Sequence, residues 1–239
     1  MDRESLAKIA SGIEATADHV DYLLGLAKPS VAIELSGATP APGNSRFGGR
    51  PLVPVGFDWP EHEDGEYRFL GQINFTEIKQ RPKLLPDTGL VSIFFADDED
   101  GEVFWGDDGY VLGYYWDDTT GFELFDSAPE PPATRPLELT GSIDIPRHSY
   151  LREDWPFDED ALSELMEAIQ PAGDYLLGHP SFTSLAYDPT PDPGWTSLLT
   201  VHSWDRFDWN WHDGDKLMVF IETDKLASRD FSHLKSDAG

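Results

Sequence analysis

Two stretches of this chain repeat one pattern, and together they decide its fold. The repeated segments read GGRP at 48–51 with FLGQIN at 69–74, and GHP at 178–180 with LLTVHS at 198–203. Pro51 and Phe69 lie 18 positions apart, and Pro180 and Leu198 lie 18 positions apart as well. This equal spacing predicts an internally duplicated β unit.

Each copy then continues into an apolar run that begins with a glycine, at 89–95 and at 214–221. The 19 prolines and 21 glycines favour many short elements joined by turns. We therefore predict an α+β fold that is mainly antiparallel β, in a single compact domain over 1–239. One repeat half covers about 30–127 and the other about 137–235, with the proline-rich tract 128–136 as the seam.

Two segments have the periodicity of amphipathic helices. The first covers about 2–28, because Leu6, Ile9, Ala10, Ile13, Ala17, Val20 and Leu24 fall at three- and four-residue steps. We expect this helix to pack on the sheet; binding to a partner is the alternative. The second runs from Asp158, a plausible N-cap, to Ile169.

The remaining pattern predicts strands and loops. The expected strands lie at 31–35, 67–75, 90–96, 103–105, 110–116, 122–125, 195–201 and 216–222. The segment 37–60 is rich in turn-forming residues but contains Phe47, Leu52 and Trp59, so we expect an ordered loop over a core. The acidic tract 97–102 predicts a hairpin tip, since it lacks the ligand spacing of a calcium loop. The chain end from 232 is expected to fray.

Charge and composition narrow the possible functions. The formal net charge is −28, from 45 acidic and 17 basic residues. This charge disfavours nucleic acids and anionic membranes as partners. It allows a basic protein partner, a cationic ligand, or no specific partner. The absence of cysteine excludes disulfides and thiolate chemistry. No leader or long apolar span is evident, so we expect a cytoplasmic protein.

The motifs as a set resemble the YwqG-like family, a bacterial group of unknown function. The matching segments are FGGRP at 47–51, WP at 59–60, FLGQIN at 69–74, LPDTGLVSIFF at 85–95, LGHP at 177–180 and WHDGDKLMVFI at 211–221. The resemblance covers roughly 30–235 and implies an α+β protein with a duplicated, mainly antiparallel sheet. It brings no established activity. The family's Trp-Gly-Asp is here Trp211-His212-Asp213, whereas an intact copy occurs at 105–107.

Several aromatic residues lie next to acids, as in Trp105 with Asp107 and Trp211 with Asp213. Such pairs attract cations, because an aromatic face and a carboxylate both complement positive charge. The alternative is that the tryptophans anchor sheet edges while the aspartates form turns.

Arg46 and Arg50 are candidates for an anionic ligand, because basic residues are scarce and both lie in the long ordered loop with Trp59. Salt bridges to the surrounding acids are the alternative. Neither the Lys-Ser/Thr of a phosphate-binding loop nor a dinucleotide motif accompanies them.

The histidines give a weaker pattern. His202 and His212 could converge across a hairpin and form an acid–base pair with Asp205 or Asp213. His179 lies in the second Gly-x-Pro and is a further candidate binding residue. No zinc-binding spacing and no nucleophile motif occurs, so we predict no metal, no cofactor and no catalytic residues.

Two functions remain. The first is an acidic binding protein of the inhibitor or immunity type that recognises a basic protein. The alternative is a small-molecule-binding module or an enzyme whose site lies between the two halves. A structural domain of a larger assembly is a third possibility.

Overall fold

A computed structural model describes residues 1–37, 39–62, 65–97, 102–126, 133–148 and 154–239. Most of the predicted hairpin tip at 97–102, and the first part of the predicted seam at 128–136, lie outside these residues.

The described chain forms twelve strands and four short α-helices. The strands are β1 (Lys28–Leu35), β2 (Arg46–Phe47), β3 (Leu52–Val53), β4 (Glu66–Asn74), β5 (Leu90–Asp97), β6 (Val111–Trp116), β7 (Glu123–Leu124), β8 (Arg135–Asp144), β9 (Asp174–Leu177), β10 (Trp195–His202), β11 (Lys216–Glu222) and β12 (Leu234–Ala238). The helices are α1 (Arg3–Gly12), α2 (Val20–Leu26), α3 (Glu159–Ile169) and α4 (Thr223–Ala227).

Ten strands form one antiparallel sheet in the order β12-β11-β10-β9-β1-β8-β2-β4-β5-β6. The outermost strands, β6 and β12, contact each other, so the sheet curves into a near-barrel. β3 and β7 form a separate two-stranded sheet. The predicted α+β fold with a mainly antiparallel sheet is confirmed.

The sheet contains two runs of four strands on either side of the central pair β1 and β8. We call β2-β4-β5-β6 the first unit and β9-β10-β11-β12 the second unit. Both units carry a β-bulge between their second and third strands, at Phe69/Gly71 and at Ser197/Leu199. A bulge bends the strand and increases its twist, which helps a sheet to close.

Aromatic side chains fill much of the core. Phe47 contacts Phe207 and Trp209, and Phe95 contacts Trp211. All five side chains are buried, and burying each contributes roughly 2–3 kcal/mol. The indole N–H of Trp211 donates to the Tyr110 hydroxyl at 3.0 Å, so its one polar atom is satisfied.

The N-terminal segment differs from the prediction of one helix over 2–28, which is wrong. Asp2 caps α1 by accepting from the Ser5 N–H at 2.8 Å, but α1 ends at Gly12. The buried Thr16 hydroxyl donates to the Ala10 carbonyl and competes with the next helical turn. A 3₁₀ turn (Ala17–His19) then leads into α2.

The apolar face of this segment packs mainly on another helix. Leu6, Ala10 and Ile13 form a cluster with Leu165 of α3 and with Ile145 just beyond β8. The expected cover was the sheet. α3 itself matches the prediction, with Asp158 accepting from the Ala161 N–H at 2.9 Å as its N-cap.

Three further expectations need correction. Residues 103–105 form turns and not a strand, because Asp107 accepts from the Phe104 N–H at 2.9 Å and closes the chain locally. The end from 232 does not fray, since β12 pairs with β11 and buries Leu234 and Ala238. Arg135 and Pro136, which the predicted seam at 128–136 included, belong to β8.

Candidate functional site

The predicted site residues do not converge in one place. Arg46 is buried in β2, and its guanidinium donates to the carbonyls of Pro42 at 2.6 Å, Asn44 at 3.3 Å and Arg50. Burial lowers the pKa of Arg46 to about 10, so it remains charged at neutral pH. Arg46 was expected to bind an anionic ligand or to pair with an acid. Its partners are instead main-chain carbonyls, and these hydrogen bonds hold the loop 42–50.

The other candidate residues of the predicted loop 37–60, Arg50 and Trp59, also contact residues of the protein itself. Arg50 forms an exposed ion pair with Asp126 at 2.9 Å, as the salt-bridge alternative predicts. The Trp59 indole N–H donates to the Tyr67 carbonyl at 2.9 Å, and its ring contacts Phe94 and Phe125. The prediction of an ordered loop over a core is confirmed, because Phe47, Leu52 and Val53 are buried.

The two aromatic–acid pairs differ in position. Trp211 is buried in the core, whereas Asp213 is exposed in a turn with φ of 59°. Trp105 contacts the ring of His212 at 5.6 Å, so the 105–107 turn and the 211–213 turn are neighbours. The His212 Nδ1 lies 3.1 Å from the Ser184 hydroxyl.

His179 is a buried structural residue. Its N–H donates to the carboxylate of the buried Asp144 at 2.9 Å, and its carbonyl accepts from the Tyr175 hydroxyl at 2.7 Å. Its Nε2 lies 2.9 Å from the Leu26 carbonyl. These contacts hold the Gly-His-Pro turn.

His202 lies in a different environment, a cleft of about 550 Å³. The cleft opens where β1, β9 and β10 meet. Its lining residues are Ile33, Glu34, Leu35, Gly173, Asp174, His202, Ser203, Trp204 and Arg206. We call it the His202 cleft. Because β1 lies in the predicted first half and β9 and β10 in the second, the cleft lies where these two stretches of chain meet.

A buried carboxylate organises this cleft. Asp174 Oδ1 accepts from the His202 N–H at 2.8 Å and lies 2.9 Å from the ring Nδ1. Its Oδ2 accepts from the Trp204 indole N–H at 2.9 Å. A carboxylate at Nδ1 fixes the ring orientation and places the proton on Nδ1 in the neutral imidazole. Among the described residues, His202 Nε2 has no hydrogen-bond partner.

The mouth of the cleft carries a cation in an otherwise acidic protein. The Arg206 guanidinium lies 5.2 Å from the centre of the Trp204 ring. Within the described part of the chain, no carboxylate forms an ion pair with it. Ile33 and Leu35 supply apolar walls, and the exposed Glu34 supplies a carboxylate.

The cleft lacks a free nucleophile among its described residues. The Ser203 hydroxyl accepts from the Trp211 N–H at 2.9 Å and donates to the Trp211 carbonyl at 3.3 Å, so it is occupied. No group of three or more His, Cys, Asp or Glu side chains in the described ranges could hold a metal ion. The arrangement can bind a polar group through His202 and Arg206, and it can exchange a proton at His202.

Sequence reasoning identified His202 but paired it with the wrong acid. Neither Asp205 nor Asp213 is its partner; Asp174 is, from the neighbouring strand. The repeat contained a usable signal, because Asp174 and Ser45 each precede their Gly-x-Pro proline by six positions.

The described helices are too short, or too polar, to cross a membrane. A comparison with the curated proteins found no match. A comparison with family models did find one: it begins at Ser45, before the first Gly-x-Pro, and ends at Ser236 in β12. The matched residues 45–236 make up most of the chain, and the protein therefore belongs to the family described as a domain of unknown function, DUF1963.

Proposed function

We propose that the protein binds a small molecule in the His202 cleft. One observation carries the proposal: a buried carboxylate orients an imidazole whose second nitrogen has no partner among the described residues. Burying the Asp174 carboxylate to hold the histidine costs desolvation free energy, and a corner with only a structural role could avoid that cost. Oriented polar groups in a mostly apolar concavity are typical of ligand sites.

We further infer that the two units descend from one duplicated segment, and three pairs of contacts support this. In the first unit the Arg46 guanidinium donates to the Arg50 carbonyl, and in the second the Tyr175 hydroxyl donates to the His179 carbonyl. Each of these carbonyls belongs to the residue just before the turn proline. The Phe75 N–H donates to the Gly89 carbonyl in the first unit, and the Ser203 N–H donates to the Asp215 carbonyl in the second.

The third pair concerns the site itself. The Asn74 N–H donates to the Ser45 hydroxyl at 2.9 Å, and the His202 N–H donates to the Asp174 carboxylate at 2.8 Å. The same main-chain contact therefore occurs in both units with different side chains. It joins residues 29 positions apart in the first unit and 28 in the second, so β10 aligns with β4 one residue earlier than the equal spacing of the two sequence segments predicts. The second unit carries an acid and a histidine where the first carries a serine and an asparagine, which supports a specialised role for the second.

The ligand class follows from the lining. Trp204, Ile33 and Leu35 favour an apolar or aromatic body. Arg206, which forms no ion pair with a carboxylate of the described residues, favours a carboxylate or a phosphate. We therefore propose an aromatic or aliphatic anion as the ligand. The Asp174–His202 pair is also suited to act as a general base on such a molecule. Catalytic conversion of the bound anion is therefore a further activity to test.

The test uses three probes with one ring and different charges: benzoate, neutral benzamide and cationic benzamidine. Their binding is followed by the NMR signals of the Trp204 indole N–H and the His202 ring. Benzoate is expected to shift both signals, and Arg206→Gln is expected to weaken its affinity about tenfold. Lys8→Gln, which removes an exposed charge on α1, serves as the matched control. Shifts with benzamidine alone would contradict an anionic ligand, and no shift with any probe would contradict the site.

A second function, recognition of a basic protein, is favoured by the charge of −28. Many of the cations are already paired with acids. Arg50, Arg68, Lys79, Arg147, Lys216, Lys225, Arg229 and Lys235 all lie in ion pairs. An excess of unpaired carboxylates steers basic partners and speeds their association. Binding that does not weaken as salt rises would contradict this function.

The assignment to the YwqG-like group within this family is also a proposal. It rests on the motif set at 47–51, 69–74 and 211–221. Each motif contributes to the structure here: Phe47 is buried, and Gln72 and Trp211 are both buried and hydrogen-bonded.

A further inference from the structure

A second concave surface lies at β12, the edge strand that β11 separates from β10 of the His202 cleft. This groove has a volume of about 430 Å³. Its lining residues are Phe104, Trp105, Gly106, Tyr187, Pro189, Pro191, Lys235, Ser236 and Asp237. We call it the Phe104–Tyr187 groove.

Two large aromatic side chains are exposed on this groove. Phe104 is 59% exposed and Tyr187 is 54% exposed. In the described part of the chain, the other large exposed apolar side chains are aliphatic: Val55, Leu84 and Leu124. Exposed aromatic rings that share one concavity indicate a contact surface, because aromatic side chains supply much of the binding energy at interfaces.

The groove is preorganised by hydrogen bonds. The Tyr187 hydroxyl donates to Asp237 Oδ2 at 2.7 Å, and the Ser236 hydroxyl donates to the Trp105 carbonyl at 2.6 Å. The contact with Asp237 raises the pKa of Tyr187 to about 12, so the phenol stays protonated at neutral pH. Fixed aromatic rings lose little conformational entropy when a partner binds.

The charges around the groove are mostly negative. Asp107 and Asp108 are exposed beside Phe104, and Asp237 lies behind Tyr187. The lining contains one cation, Lys235, whose ammonium lies 3.7 Å from Asp108 and 5.7 Å from the centre of the Trp195 ring. Aromatic faces beside carboxylates complement a guanidinium or an ammonium group.

We propose that the Phe104–Tyr187 groove receives an arginine side chain from an extended basic segment of another protein. This inference rests on the second proposed function and gives it a location. The guanidinium stacks on the rings of Phe104 and Tyr187, while the flanking carboxylates balance its charge. Arginine fits better than lysine, because a planar guanidinium can stack on an aromatic ring and bond a carboxylate at the same time.

The experiment uses a labelled peptide of alternating arginine and serine, with matched lysine and glutamine versions. Affinity is measured by fluorescence anisotropy at low and high salt. The double variant Phe104→Ser with Tyr187→Ser is expected to bind the arginine peptide about tenfold more weakly. The control is Val55→Ser with Leu124→Ser, which removes equally exposed apolar groups elsewhere. Phe104→Tyr keeps a ring and is expected to retain affinity.

The NMR signals of the eight tryptophan indoles locate the bound peptide. We expect the Trp105 signal to shift first. Equal affinity of both double variants, or a shift at Trp204 instead of Trp105, would overturn the groove but leave the basic partner in place. Absence of salt-dependent binding to any variant would overturn the basic partner and the groove together. Thermal unfolding confirms that each variant is folded.

Discussion

The ends of β4 and β10 have the same main-chain geometry but different surroundings. At the end of β4, Ser45 and Asn74 are covered: Glu77 accepts from the Ser45 N–H at 2.7 Å, and the Asn74 amide donates to the Gly43 carbonyl at 2.9 Å. At the end of β10, Asp174 and His202 border a cleft of about 550 Å³. The first corner is closed by its own loop, whereas the second is open and carries ionisable groups.

If the two units descend from one segment, as we propose, that segment now serves two purposes. In the first unit the loop 42–53 folds back on the sheet, and its polar atoms bond Arg46 and Gln72. In the second unit the paired residues Tyr175 and Thr200 take the places of the pair Arg46 and Gln72. The turn after β9 leaves the strand ends uncovered. We interpret the first unit as the scaffold and the second as the binding unit.

The turn glycines of the two units allow the largest test of this comparison. Gly48 has φ of 64°, and Gly178, which corresponds to Gly49 in the first unit, has φ of 75°; only glycine adopts this region without strain. An added methyl group at 48 would meet a main-chain atom, the Ala133 carbonyl oxygen, and at 178 a side chain, the Asp144 carboxylate. We expect Gly48→Ala to cost about 3 kcal/mol and Gly178→Ala about 2 kcal/mol in urea unfolding. Equal losses would remove this distinction between the units.

The residues that pin the two turns give a smaller effect. Arg46→Met removes the buried guanidinium that donates to the carbonyls of Pro42, Asn44 and Arg50, so we expect a loss of about 3 kcal/mol. Tyr175→Phe removes one neutral donor to the His179 carbonyl, so we expect about 1 kcal/mol. The control Arg135→Met changes an exposed side chain and is expected to stay within about 0.5 kcal/mol. A Tyr175→Phe loss as large as that of Arg46→Met would argue against the first unit as the more tightly pinned one.

The smallest effect concerns Asp144, which accepts from the His179 N–H in the second unit. Burial raises its pKa above 3.8, and the nearby Arg147 opposes the rise. The folded protein therefore holds this proton more tightly than the unfolded chain does. Relative to Asp144→Asn, the free energy of unfolding should fall as pH rises from 3.8 through the folded pKa. A difference that stays flat or rises over this range, measured by urea unfolding, would contradict the sign.

The sequence predicted the elements whose signal is local. β5 and β11 are continuous apolar runs, and α3 has a capping aspartate before an amphipathic face, so all three could be read directly. β12 was missed because the side chains it buries, Leu234, Ser236 and Ala238, are mostly small or polar. In these cases only pairing with a neighbouring strand shows that the segment belongs to the sheet.

The candidate site was less predictable for the same reason. His202 was named from its chemistry, but its acid lies 28 positions away in β9, and only the strand register brings the two together. Trp204 was notable only as an aromatic residue beside Asp205, and Arg206 carried no motif; the Asp174 contact and the cleft give them their place in the site. Arg46 was a candidate for an anionic ligand in the sequence, but its buried guanidinium bonds carbonyls of its own loop.

The most direct test converts the second corner into the chemistry of the first, with Asp174→Ser combined with His202→Asn. Benzoate affinity is measured by calorimetry, and Ser45→Ala serves as the control because it alters the equivalent first corner. We predict that the double variant stays folded and loses benzoate binding at least tenfold, while Ser45→Ala binds as the unaltered protein does. Equal affinity in all three proteins would contradict the claim that the Asp174–His202 corner is the binding site.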